Sequence, residues 1–177
     1  SVLWLTACGG GFGGLNASGP RIDTSRPVPV ALLVPGGSGN AADDSLAIGL
    51  ENAARLAMAE LDGVTIDLRV YNTAGNATQA GTIARQAVSD GAKVILGPVY
   101  SQSAATAGIA AAARGVNVLA FSNNPGVAGN NVFILGNTFQ STADRLTRFA
   151  ALQNKGKILV VHGENAAESL GGDAILR

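Results

Sequence analysis

The stretch Val30-Ala31-Leu32-Leu33-Val34, followed at once by Pro35-Gly36-Gly37-Ser38-Gly39-Asn40, decides how the rest of the chain reads. An unbroken apolar run without alternation describes a strand buried on both faces, the habit of a parallel sheet. Behind the polar, glycine-rich loop, apolar residues recur at Leu46, Leu50, Ala53, Ala57 and Leu61, which is helical spacing. The helix is read over residues 45–61, with Asp44 as its N-cap and Asp62-Gly63 as its stop.

The strand–loop–helix unit then repeats. Residues 65–71 alternate, Ile66, Leu68 and Val70 on one side and Asp67, Arg69 and Tyr71 on the other. One wet face places that strand at the edge of the sheet. A helix is predicted over 78–90, closed by Gly91, and a buried strand over 93–97. An alanine-rich helix over 103–114 is closed by Gly115, and a strand over 116–121 follows. A helix over 141–154, closed by Gly156, leads to a strand over 158–161, and residues 172–177 read as the opening turns of another helix. Strands alternating with helices require crossover connections and a parallel sheet covered on both faces. The predicted class is therefore α/β with a doubly wound parallel sheet. Residues 122–140 break the rhythm; they hold Pro125 and the apolar stretch Val132-Phe133-Ile134-Leu135. That segment is open between a passage to a second lobe and a local β excursion within the first.

Composition narrows the function. The 177 residues carry a formal net charge of +0, and only 14% are charged, against about 25% in an average soluble domain. Such a balance fits neither a basic nucleic-acid binder nor an acidic disordered tail. One Cys and one His supply no disulfide framework and a poor zinc site. No apolar run reaches the roughly 18 residues of a membrane helix. The chain starts at Ser1 rather than Met, and both ends read as cuts in a longer protein. Residues 9–29, opening on Gly9-Gly10-Gly11-Phe12-Gly13-Gly14, read as a flexible tether.

In an open parallel sheet, ligands bind beyond the carboxyl ends of the strands, where helix N-termini present unpaired N–H groups. Three loops fall there: residues 35–40, 97–103 and 121–125. Their candidate ligand-binding residues are Ser38, Asn40, Ser101, Ser103, Ser122 and Asn123, all uncharged donors and acceptors. The plainer reading is that Ser103 caps its helix and that Asn123 and Asn124 turn the chain. Residues 37–42 also match G-x-G-x-x-A, the dinucleotide fingerprint. Against it, Tyr71-Asn72 stands where a ribose-binding acid belongs, and Asp43 and Asp44 would repel a pyrophosphate. No nucleophile elbow of the type G-x-S-x-G occurs, and Glu164 is too close in sequence to His162 to suggest an acid–base pair. The chain is read as non-enzymatic and without a cofactor or metal.

Leu5-Thr6-Ala7-Cys8-Gly9 resembles a bacterial lipobox. The resemblance implies lipid attachment at Cys8 and a membrane anchor; Gly9 after the Cys is similar to lipoproteins sent to the outer membrane. From Val30 onward the chain resembles type 1 periplasmic binding proteins of the leucine-binding class. The residues concerned are the Gly-rich loop, residues 51–57, Tyr71-Asn72-Thr73-Ala74-Gly75, and Ile95-Leu96-Gly97-Pro98 with Ser101. Within that superfamily, Gly97-Pro98 and residues 120–124 and 127–136 look most like penicillin-binding protein activators.

The resemblance implies a signal remnant over 1–8, a tether over 9–29, a first lobe over 30–121, an inter-lobe crossover over 122–140 and the start of a second lobe from 141. It implies a Gram-negative periplasmic lipoprotein whose partner is a peptidoglycan synthase or an ABC permease, with a small polar ligand in the second case. Ser101 matches the ligand-binding Ser of amino-acid receptors of this class. No Thr follows the fourth strand, and neither the first loop nor the segment after Val161 carries the aromatic such receptors use. That departure favours a regulator over an amino-acid receptor.

Overall fold

The computed structural model describes residues 19–176, so Cys8 and the first part of the tether lie outside the described residues. The strands are β1 (Val28–Val34), β2 (Ile66–Asn72), β3 (Val94–Leu96), β4 (Asn117–Ala120) and β5 (Val132–Ile134). The helices are α1 (Ala41–Ala59), α2 (Ala77–Ser89), α3 (Ser101–Ala112), α4 (Phe139–Leu152) and α5 (Ala166–Leu176). All five strands are parallel and lie in the order β2-β1-β3-β4-β5. The doubly wound α/β architecture is as expected, and β2 takes the edge its alternation predicts.

Register sorts the side chains into two faces. Ala31, Ile95, Val118 and Val132 are aligned across β1, β3, β4 and β5 and point to one side. There they join Leu33, Ala84 and Ala87 of α2, and Ala104, Ala107 and Ala111 of α3. This side is built largely of alanine because α2 and α3 pack closely on one another. At Gly81 an added Cβ would lie 3.4 Å from the Thr106 side chain, and Thr106 Oγ1 donates to the Ala77 carbonyl at 2.6 Å. The opposite row runs Val70, Leu32, Leu96, Leu119 and Phe133. It meets α1 through Ala47, Leu50 and Ala54, which cover Leu32 and Val34. That cover does not reach β5, where Phe133 is 49% exposed.

Several boundaries differ from expectation. α1 begins at Ala41, because Asn40 caps it first: its Oδ1 accepts from Ala42 N at 2.9 Å. Asp44, predicted as the cap, lies inside the first turn and reaches back to Gly37 N at 2.8 Å. The helix stops at Ala59, ahead of Asp62-Gly63. α3 starts at Ser101, two residues before the predicted start at Ser103, so Ser103 is a helical residue and not a cap. The apolar stretch within 122–140 supplies β5, hydrogen-bonded beside β4, so the chain leaves this sheet only after Ile134. Residues 158–161 form no strand; no neighbouring ladder satisfies their backbone, and Leu159 and Val161 are exposed. α4 and α5 pack chiefly against each other.

Leu33 is fully buried on the alanine-rich face, whereas Ile48 stands on the outer side of α1. Leu33→Ala is expected to lower stability by about 2–5 kcal/mol in urea unfolding, through lost burial and the cavity left behind. Ile48→Ala is expected to stay within about 0.5 kcal/mol.

Candidate functional site

The strand order 2-1-3-4-5 makes its switch point between β1 and β3, and there the connections diverge to opposite faces and leave a crevice. The loops at the carboxyl ends are tied to one another by backbone contacts. Thr73 is buried, and both its N–H (2.8 Å) and its Oγ1 (3.0 Å) donate to the Val34 carbonyl. Ala74 N donates to the Gly36 carbonyl at 3.1 Å. Gly97 N donates to Leu119 O at 2.8 Å, and Phe121 N to Pro98 O at 3.1 Å. Gly97 has φ +79°, and a Cβ there would collide with the Leu33 carbonyl, so only glycine lets β3 turn this close to β1.

The six predicted residues separate into different roles. Ser38 Oγ accepts from Asn40 N at 3.1 Å, and Asn40 is committed to capping α1. Ser101 is the half-buried first residue of α3. Ser103 is buried, and its Oγ has no hydrogen-bond partner among the described residues. Ser122 is buried in a turn, accepting from Asn124 N at 3.1 Å, and Asn124 in turn accepts from Gly126 N at 2.9 Å. Asn123 is exposed beside them. The turn-forming reading thus fits Asn124, while Ser122, taken from sequence as a ligand-binding candidate, accepts a bond within the same turn.

The helix N-termini at this edge are not equivalent. α1 and α2 are capped by Asn40 and Asn76. α3 follows Tyr100, which makes no side-chain cap. Its first intrahelical bond is Ala104 N to Tyr100 O at 2.8 Å, which leaves the amides of Ser101, Gln102 and Ser103 without intrahelical partners. The loop after β1 differs: its Gly37 amide is already taken by the Asp44 carboxylate. A pyrophosphate would have to displace that carboxylate, a physical argument that weighs against the dinucleotide reading.

Sequence reading missed a pair of residues. The Tyr100 hydroxyl donates to Asp43 Oδ1 across the crevice between the β1 and β3 loops. The two are 57 positions apart, and only the adjacency of β1 and β3 unites them. The Tyr100 hydrogen bond, followed by one from Ser38, holds the Asp43 carboxyl below the usual carboxylate range. The same bond to Asp43, followed by burial, pushes the Tyr100 phenol up. Tyr71 is also raised, first by burial and then by its hydrogen bond to Asp90. An aromatic ring therefore stands at the crevice after all, supplied by the third strand's loop. Among the described residues no group of His, Cys, Asp and Glu is placed to hold a metal. No described helix is long and apolar enough to cross a membrane. His162 is exposed, with Nδ1 2.8 Å from the Gly163 carbonyl.

A five-stranded parallel sheet flanked by helices is the α/β fold of type 1 periplasmic binding proteins. A family model described as periplasmic binding protein matches residues 27–177, and the chain belongs to that family. Among solved structures it is similar to an ABC transporter substrate-binding protein from Desulfitobacterium hafniense in complex with Leu, at 20% identity and TM-score 0.65, over 85% of this chain and 46% of that one. The leucine-binding protein LivK from Thermotoga maritima gives 19% identity and TM-score 0.63, over 84% of this chain and 44% of that one. Full-length LpoA from Haemophilus influenzae gives 22% identity and TM-score 0.61, over 88% of this chain and 28% of that one. The chain spans less than half the length of each of these. No curated protein matches the sequence. The family is one of binding proteins, and membership implies a periplasmic location.

Tyr100 and Tyr71 are the two tyrosines of the chain, and both phenols are expected to ionise above the ordinary value near 10. In an ultraviolet pH titration, Asp43→Asn is expected to bring one phenol, Tyr100, down toward that value and leave the other in place. Because the folded-state pKa of Tyr100 is raised, its contribution to stability is complete below the unfolded value and is lost as pH rises through the folded one.

Proposed function

We propose that this chain is the ligand-gripping part of a periplasmic solute receptor, its first lobe running from β1 through β5 and its second beginning at α4. The observation that carries this reading is the uncapped N-terminus of α3 beside the Tyr100 ring at the β1/β3 switch point. Open amides at Ser101, Gln102 and Ser103, with the Ser101 hydroxyl, suit the carboxylate or another electron-rich group of a small polar ligand. The ring supplies apolar contact and excludes water. Closure of a second lobe over this edge would bury the ligand and complete its contacts. The similar structures whose titles name bound Leu and Ile support the receptor class, and an ABC permease is the partner that follows. Cys8 is the proposed lipid attachment site, with the outer membrane as its destination, and the proposed tether runs over residues 9–27, two residues shorter than the sequence reading had it, because Val28 and Pro29 are paired in β1.

A second reading is regulation of a peptidoglycan synthase by direct docking. Its support is the half-exposed pair Phe133 and Leu135 at the free edge of the sheet, in the stretch that resembles penicillin-binding protein activators. Association of the full-length protein with a synthase, and faster glycan polymerisation in its presence, is the sign of that role.

The receptor reading is checked by thermal unfolding of the full-length protein across a panel of amino acids and small organic acids. A bound solute at 100 times its Kd adds about 2.7 kcal/mol to stability, and the midpoint rises accordingly. Ser101→Ala is expected to weaken that solute about tenfold, as loss of one hydrogen bond to a charged group does. Unchanged midpoints throughout the panel would exclude the receptor role.

A further inference from the structure

We infer that the amino-terminal edge of the sheet is a docking surface for the anionic phospholipid headgroups of a membrane, formed by Arg21, Arg26, Lys93 and Arg114 where the tether meets the fold. The orientation of this surface rests on the lipid-anchor reading of Cys8; its chemistry does not.

The four cations come from separate parts of the chain and are gathered by strand order. β1, β3 and β4 lie side by side, so the residues that lead into them share one edge. Lys93 N donates to the Pro29 carbonyl at 2.8 Å, which sets Lys93 beside the entry to β1. Arg21 and Arg26 line one hollow with Lys93, Arg114 lines the next with Pro20, and Lys93 and Gly91 are common to both. A Cβ on Gly19 would lie 3.4 Å from the Gly115 carbonyl, so the chain crosses this edge from beside Arg114 to the start of β1.

The charge of this edge is largely uncompensated. Arg21, Lys93 and Arg114 make no ion pair among the described residues, and Arg26 is paired with Asp23. Among the described residues that line the two hollows, Asp23 is the one acid. Asp90, next to Gly91, is turned toward β2, where its carboxylate accepts from the Tyr71 hydroxyl at 2.9 Å and its carbonyl from Arg69 at 2.7 Å. The carboxyl ends of α2 and α3 reach this edge with about half a negative charge each, which four cations exceed. At the opposite edge the sign is reversed. Residues 35–44, 73–76, 97–100 and 121–131 hold Asp43 and Asp44 and no Lys or Arg.

Two features select a membrane over a free anion. Ile22 is half exposed, and with half-exposed Leu61 it lines an apolar hollow next to the basic ones. Cations with adjoining apolar side chains suit the boundary between headgroups and acyl chains. The stretch from Cys8 to Gly19 carries no charged side chain and spans at most about 40 Å even fully extended. An acyl chain on Cys8 therefore keeps this edge within reach of the leaflet at a high effective concentration. There each cation is worth about fivefold in partition. Docked in this way, the lobe keeps the crevice at its opposite edge facing away from the lipid.

The test is co-sedimentation of the full-length protein carrying Cys8→Ser, which removes any acyl chain, with vesicles of phosphatidylcholine alone or mixed two to one with phosphatidylglycerol. Partition is expected to be at least about tenfold stronger on the anionic vesicles at low salt, and to fall severalfold at about 1 M salt, where charges are screened beyond about 3 Å. Arg21→Gln, Lys93→Gln and Arg114→Gln made together are expected to weaken it at least about tenfold. Arg145→Gln, Arg148→Gln and Lys155→Gln, which remove as many exposed cations from α4 and the turn after it, are expected to change it less than about twofold. Inorganic phosphate should compete no better than chloride at equal ionic strength. Equal partition onto both vesicles, equal losses in the two triple variants, or displacement by phosphate in particular would overturn the surface. The comparison of vesicles uses the unaltered surface, so it decides even if a triple variant fails to fold. Lipid at Cys8 is read separately, from the mass of the mature protein made in a Gram-negative host. Headgroup preference without that lipid keeps the surface and removes the anchor; lipid without the preference does the reverse.

Discussion

Parallel pairing of β1 on both of its edges is the constraint from which the rest follows. β1 hydrogen-bonds to β2 along its whole length on one side and to β3 on the other, and side chains from both of its faces enter the two hydrophobic clusters. A strand enclosed in this way can carry no polar residue, which is why it reads as an apolar run. Because its neighbours are parallel, each connection must cross a face of the sheet, and the crossings after β1 and β3 part to opposite faces. The crevice between them is a consequence of topology. The functional groups fill a place that backbone pairing has already made.

Close packing governs the two faces differently. On one side α2 and α3 are drawn together by alanine, by Gly81 and by a hydrogen bond from Thr106, and the core there is dense and uses small residues. Gly108 lets α3 approach β5 until a Cβ would meet Val132. On the other side a single helix, α1, covers β1 and β2, and the aligned row becomes more exposed toward β5. Apolar area left in water costs about 25 cal/mol per Å², so the covered and uncovered halves of that face contribute very unequally to stability.

At the ligand edge, hydrogen-bond accounting separates structure from function. Asn40, Asn76, Asn124 and Ser122 are spent on caps and turns, each satisfying an amide that the backbone leaves unpaired. What remains unspent is the N-terminus of α3, whose first three amides have no intrahelical partner, and the exposed part of the Tyr100 ring. Chemistry left over after the fold is satisfied is chemistry available to a ligand.

The sequence by itself determined the class of fold, the order of the first three strand–helix units with the strand that follows them, and the edge position of β2, because burial on two faces, burial on one face and helical spacing leave different periodicities. It also brought the loops at 35–40, 97–103 and 121–125 to one edge, since a doubly wound sheet allows no other placement. It did not fix helix starts to the residue: Asn40 and Asp44 are both good caps, and which amide each one takes is settled by the loop around them. Residues 132–134 could not be assigned to this sheet, because a short apolar run is a strand only where a partner lies beside it, as β4 does; residues 158–161 have the same character and no such partner. The pairing of Asp43 with Tyr100 was decided by tertiary structure alone. Neither residue announces the other, and the contact exists because parallel pairing sets β1 against β3, so that loops far apart in sequence end within reach of one another.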